Sequence, residues 1–82
     1  MKLAKWLDVT DTMLSAVRYA IVYDKDFDDD PIWEGKASDI PYWVANMKLV
    51  PKEENDGEYP IDIRCLGKDY DDAIGLIIVV KD

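Results

Sequence analysis

Carboxylates are the side chains best placed to do chemistry in this sequence. Five aspartates fall within seven residues: Asp24, Asp26, Asp28, Asp29 and Asp30. Their Asp-x-Asp-x-Asp opening resembles a calcium loop, because a hard cation takes carboxylate oxygens from alternate positions. The rest of that pattern fails. Asp29 stands where the tight turn needs glycine, and Gly35 stands where a bidentate glutamate is needed, with Glu34 one residue early. A solvated loop is the expected state of this run, and no metal site is assigned to it. Glu53, Glu54, Asp56 and Glu58 form a second acidic group, and Asp69, Asp71 and Asp72 a third.

Acid–base catalysis by paired carboxylates needs environments that push their pKa values apart, and carboxylates in solvated loops do not meet that condition. Histidine is absent and cysteine occurs once, which excludes a His-based triad, a His/Cys zinc site, a CxxC redox pair and an internal disulfide. The single thiol, Cys65, keeps alternating phase with Ile61 and Ile63, the position of a small buried hydrophobe and not of a nucleophile. Ser15, Ser38, Thr10 and Thr12 lack a glycine-flanked elbow, and there is no glycine-rich phosphate loop. The expectation is a protein that is not an enzyme, with no catalytic residue and no cofactor.

The 82 residues include 18 Asp and Glu against 10 Lys and Arg, a net charge of -8. Apolar residues at 49% and charged residues at 34% give a globular balance. A uniformly acidic domain is repelled by phosphate backbones, so direct nucleic-acid binding is not expected and a basic protein surface is the better match. The apolar stretch Ala73 to Val80 is far short of the ~20 residues that span a bilayer. Asp8 and Asp11 interrupt what would have to be a continuous apolar signal-peptide core after Lys2 and Lys5. The cytoplasm is the expected compartment, in keeping with one unpaired cysteine.

The elements that must position these residues follow from periodicity. Leu3, Trp6, Leu7 and Thr10 share one face of an N-terminal helix. The β-branched, aromatic and small residues from Leu14 to Tyr23 read as a strand, and a second, short strand runs from Ile32 to Ala37. Ser38 and Asp39 are good helix N-caps, Pro41 is tolerated in a first turn, and Ile40, Trp43, Val44 and Met47 share a helical face. Lys48 to Val50 reads as a brief strand that Pro51 ends. Ile61, Ile63 and Cys65 alternate with Asp62 and Arg64 in a half-buried strand, and Gly67 to Asp72 turns the chain. The last strand, Ile74 to Val80, is apolar on both faces, which marks a central strand or one that exposes a sticky face. The expected architecture is a single α+β domain over residues 1–82, a mostly antiparallel four- to five-stranded sheet with two short helices on one face.

In an antiparallel meander the loops holding Asp24 to Asp30 and Glu53 to Glu58 emerge at one end of the sheet, and the Asp69–Asp72 turn at the other. The candidate partner-binding residues are therefore Asp26, Asp28, Asp29, Asp30, Glu53, Glu54 and Asp56. Such a concentration of charge imitates the field of a phosphate backbone and suits the basic groove of a nucleic-acid-handling enzyme, as an inhibitor or DNA mimic would. The alternative is an assembly role, in which the Ile74–Val80 strand, backed by Ala16, Ala20, Val22 and Leu66, leaves an apolar sheet face that pairs copies into a homodimer. Trp6 and Trp43 sit on apolar helical faces and are expected in the core, whereas Tyr42, Tyr59 and Tyr70 are expected to be exposed. Tyr59 and Tyr70 have acidic neighbours, which does not suit base stacking.

One resemblance covers about the first half of the chain. It runs from Leu3-Ala4-Lys5-Trp6-Leu7 through Val17-Arg18-Tyr19 and Tyr23-Asp24 to Trp33-Glu34-Gly35-Lys36-Ala37-Ser38-Asp39-Ile40-Pro41. This run resembles small acidic proteins carried by phages and mobile elements of gut Firmicutes. The resemblance implies a small α+β fold and a phage-linked or accessory role, and some proteins of that setting counter host defence as anti-CRISPRs. It carries over no catalytic residue.

Overall fold

The sheet is built around its last strand. In the computed structural model, which describes residues 1–9, 17–26 and 30–82, the elements are α1 (Leu3–Val9), β1 (Tyr19–Asp24), β2 (Trp33–Lys36), α2 (Tyr42–Ala45), β3 (Lys48–Leu49), β4 (Ile61–Cys65) and β5 (Ile74–Lys81). Short 3-10 turns at Ala37–Asp39, Lys52–Glu54 and Lys68–Tyr70 link them. The expected first strand begins later than its composition suggested, and Leu14 to Ala16 lie outside the described residues.

β5 has β1 on one edge and both β3 and β4 on the other, placed end to end. The five-stranded sheet is mostly antiparallel, with β1 and β5 its parallel pair, so the fold is α+β as expected. The path is not a simple meander, because the C-terminal strand inserts between the first strand and the third and fourth. The edge of β3 is sealed by the N-terminal residues: Leu49 N donates to Met1 O at 2.8 Å and Leu3 N to Met47 O at 2.9 Å.

The apolar faces of β5 divide as its alternation requires. Leu76, Ile78 and Val80 are buried with Ala20, Val22, Leu3, Val44 and Leu49, beneath the two helices. Ile77 and Val79, on the opposite face beside Ile21 and Tyr23 of β1, are half-buried. Ala20 and Val22 therefore belong to the covered face and do not back an open one, and Ala16 lies outside the described residues. Leu66 is the one member of that expected set on the open face. It packs on Gly75, where an added Cβ would stand 2.2 Å from Leu66 Cδ1 and 3.0 Å from the Tyr19 carbonyl oxygen, so a larger residue there would have to displace Leu66.

Other expectations need correction, for one shared reason. α1 has seven residues and α2 four; at ~1.5 Å per residue α1 is only about 10 Å long, against roughly 26 Å for β5 at ~3.3 Å per residue. The helices cover the Leu76–Val80 end, and the helix-side residues beyond them are left open: Ile63 is 49% and Ile74 41% exposed. Cys65, expected to be buried, is exposed at that uncovered end. The helical face expected through Ile40, Trp43, Val44 and Met47 is broken, because a 3-10 turn at Ala37–Asp39 precedes a single turn capped by Pro41 with no side-chain cap from Ser38 or Asp39. Val44 is buried, while Trp43, expected in the core, is 55% exposed. Trp6 is half-buried against the core.

Tyr42 and Tyr59 are exposed. Tyr70, expected to be exposed, is half-buried: its ring meets Tyr19 edge-on with centroids 5.2 Å apart, and its hydroxyl donates to Glu34 Oε2 at 2.5 Å. Among the described residues no helix is long and apolar enough to cross a membrane.

Candidate partner-binding pole

The two acidic loops meet, although not by way of a meander. The parallel register places Asp24 beside Val80, and the antiparallel register of β3 places Leu49 beside that same residue. β1 therefore delivers its following loop, and β3 its own, to the C-terminal end of β5. Lys25 N bonds to Val80 O at 2.9 Å, which ties the first loop to the sheet, and Asp24 Oδ1 accepts from Asp26 N at 2.9 Å.

The second loop is shaped by its own polar groups. Glu54 N donates to Pro51 O at 2.9 Å, and Asp56 and Gly57 take left-handed φ values of 54° and 80°. Aspartate tolerates that conformation better than most residues, and glycine adopts it freely. Asn55 Nδ2 donates to Glu58 O at 3.0 Å and closes the turn.

Glu54 joins the loops. Its Oε1 lies 3.4 Å from Lys25 Nζ and its Oε2 2.8 Å from Lys81 Nζ. The hydrogen bond from Lys81, then that from Lys25, holds the Glu54 carboxyl below the usual carboxylate range. Glu54, expected as a free contact residue, is in this way a structural clamp whose charge is already answered. Asp26, Asp30, Glu53 and Asp56 are exposed and form no ion pair among the described residues. Asp28 and Asp29 lie outside the described residues.

The neighbouring cations are what sequence reasoning missed. Lys25 was visible inside the acidic run, but Lys81 reaches this end only because β5 is the central strand. Lys52 is held over the Tyr59 ring, its Nζ 4.8 Å from the centroid. The Asp69–Asp72 turn occupies the opposite end of the sheet, as expected, where it joins β4 to β5. Asp71 and Asp72 there adopt φ values of 55° and 56°. Both ends of the molecule are thus acidic, and the first is less negative than its loop sequences alone imply.

Beside the pole, between the Asn55–Pro60 segment and the open sheet face, lies a groove of about 430 Å³. Ile77 and Val79 floor it, and Glu58, Tyr59, Asp62 and Arg64 stand on its walls. Arg64 already donates to Asp62 on one wall, which leaves Glu58 as the wall carboxylate without an ion pair among the described residues, and the apolar floor suits the stem of a long basic side chain. Among the described residues no group of three or more His, Cys, Asp or Glu could hold a metal ion. Comparison with protein-family models, curated proteins and solved structures found no match to the chain.

Proposed function

We propose that this protein is a non-enzymatic binding module whose acidic pole receives a basic protein surface, with a nucleic-acid-handling enzyme as the partner class. One observation carries the reading: the Lys25–Glu54–Lys81 junction holds two separate loops together while Asp26, Asp30, Glu53 and Asp56 stay exposed and without ion pairs among the described residues. Negative charge gathered at one end raises association rates with a basic partner and favours a groove built for phosphates. The adjoining groove adds a place for an arginine or lysine stem. The resemblance of the first half to phage and mobile-element proteins fits such an inhibitory role.

The test is neutralisation of one pole against the other. The quadruple substitution Asp26→Asn, Asp30→Asn, Glu53→Gln, Asp56→Asn should weaken binding to a captured basic partner by roughly tenfold or more and flatten its salt dependence. The triple substitution Asp69→Asn, Asp71→Asn, Asp72→Asn should leave affinity within about twofold. Double-stranded DNA should compete for the same partner. Equal loss from both sets, or binding indifferent to salt and DNA, rejects the pole as the contact.

A further inference from the structure

β4 is a sheet edge that no described residue covers. Pro60 O accepts from Val79 N at 2.8 Å and Leu66 N donates to Ala73 O at 3.0 Å, in the same register that pairs Asp62 with Ile77 and Arg64 with Gly75. An antiparallel residue turns both of its backbone groups to the same side, and the side alternates along the strand. Asp62 and Arg64 therefore bond to β5, while Ile61, Ile63 and Cys65 aim N–H and C=O outward. Further along this side of β5, Met1–Leu3 seal the edge of β3; among the described residues β4 has no such cover, and an open edge is a template for another strand.

The sequence of β4 names its own complement. We propose that β4 pairs antiparallel with β4 of a second copy of this chain, about a two-fold axis at Ile63. In that register Ile63 faces its equivalent, Ile61 faces the equivalent of Cys65, and these outward residues exchange about six backbone hydrogen bonds. Asp62 then stands opposite the equivalent of Arg64, and Arg64 opposite the equivalent of Asp62. Both fall at non-hydrogen-bonded positions, where facing side chains approach most closely.

Other axes do worse. Centring on Asp62 or on Arg64 sets like charges face to face. Centring on Ile61 sets Asp62 against Pro60, and centring on Cys65 sets Arg64 against Leu66. Arg64 Nε already donates to Asp62 at 2.9 Å within one chain, so the axis would gather four charges of alternating sign. Half-exposed Ile63 would stack on its own copy on the helix side. This pairing takes up Asp62 and Arg64 from the wall of the adjoining groove but none of the loop carboxylates Asp26, Asp30, Glu53 and Asp56, so its test and the neutralisation of the pole are read separately.

Sedimentation of the full chain from about 1 μM to about 1 mM tests it, the range in which a small interface associates. The wild type should form a reversible dimer. Asp62→Arg or Arg64→Asp alone should raise the dissociation constant roughly tenfold or more, and the double swap should return it to within about threefold of wild type. Ile63→Pro deletes an outward N–H that β5 does not use, and should give a monomer with an unchanged circular dichroism spectrum. If that variant misfolds, the charge swap decides. A wild type that is monomeric throughout, a dimer that neither Asp62→Arg nor Arg64→Asp weakens, or a folded double swap that fails to dimerise overturns the proposal.

Discussion

Tyr70 and Glu54 show how single polar contacts fasten loops to this sheet. The hydrogen bond that the Tyr70 hydroxyl donates to Glu34, with burial adding to it, pushes the phenol up to about 12. A raised phenol stabilises the fold fully below the ordinary tyrosine range near 10, and that contribution fades as pH climbs through about 12. Tyrosinate absorbance followed in base should contain a late component that Tyr70→Phe removes; its persistence in that variant would assign it elsewhere. Glu54 behaves oppositely. Its lowered carboxyl contributes above the usual carboxylate range and stops contributing as acid protonates it, a small loss at so exposed a pair. Neither partner was legible beforehand, because Glu34 and Tyr70, like Glu54 and Lys81, are brought together only by strand order.

At the scale of the element, β5 carried the clearest signal. Its two apolar faces meant either a central strand or an exposed sticky face; it is the central strand, with one face under the helices and the other half-buried, Leu66 lying on it at Gly75. Ile78→Ala should cost about 2–5 kcal/mol, the range for a fully buried aliphatic, and Ile77→Ala on the half-open face distinctly less. Chemical denaturation of the two variants checks this, and equal losses would mean that both faces are packed alike. The second helix was misread in extent, since the spacing of Ile40, Trp43, Val44 and Met47 fits a helical face that Pro41 and the preceding 3-10 turn interrupt. Cys65 had the right phase and the wrong depth: alternation fixes which face a residue shares, but not how far the covering layer reaches.

Across the whole molecule, acidic loops lie at both ends of the sheet, with the apolar core between them. Repulsion among uncompensated carboxylates opposes compaction, and salt screens it. Raising ionic strength from about 0.01 M to about 0.15 M should lift the thermal midpoint by a few degrees; a fall would mean that ion pairs such as Lys81–Glu54 and Arg64–Asp62 outweigh the unpaired charge. The α+β class could be anticipated from patterning and punctuation, whereas the acidic loops were expected together on a meander that the sheet does not follow. The parallel β1–β5 pair could not, because nothing local in either strand encodes a partner some fifty residues away. That pairing also sets a timetable for biosynthesis. Until residues 74–81 leave the ribosome, the β1–β2 hairpin and the contact of β3 with the N-terminal residues are the only described strand pairings that can assemble, and β4 has no strand to dock on. Nascent chains must therefore hold the β5-facing edges of β1 and β4 unsheltered until that strand emerges, which gives holdase chaperones a defined window in which to act.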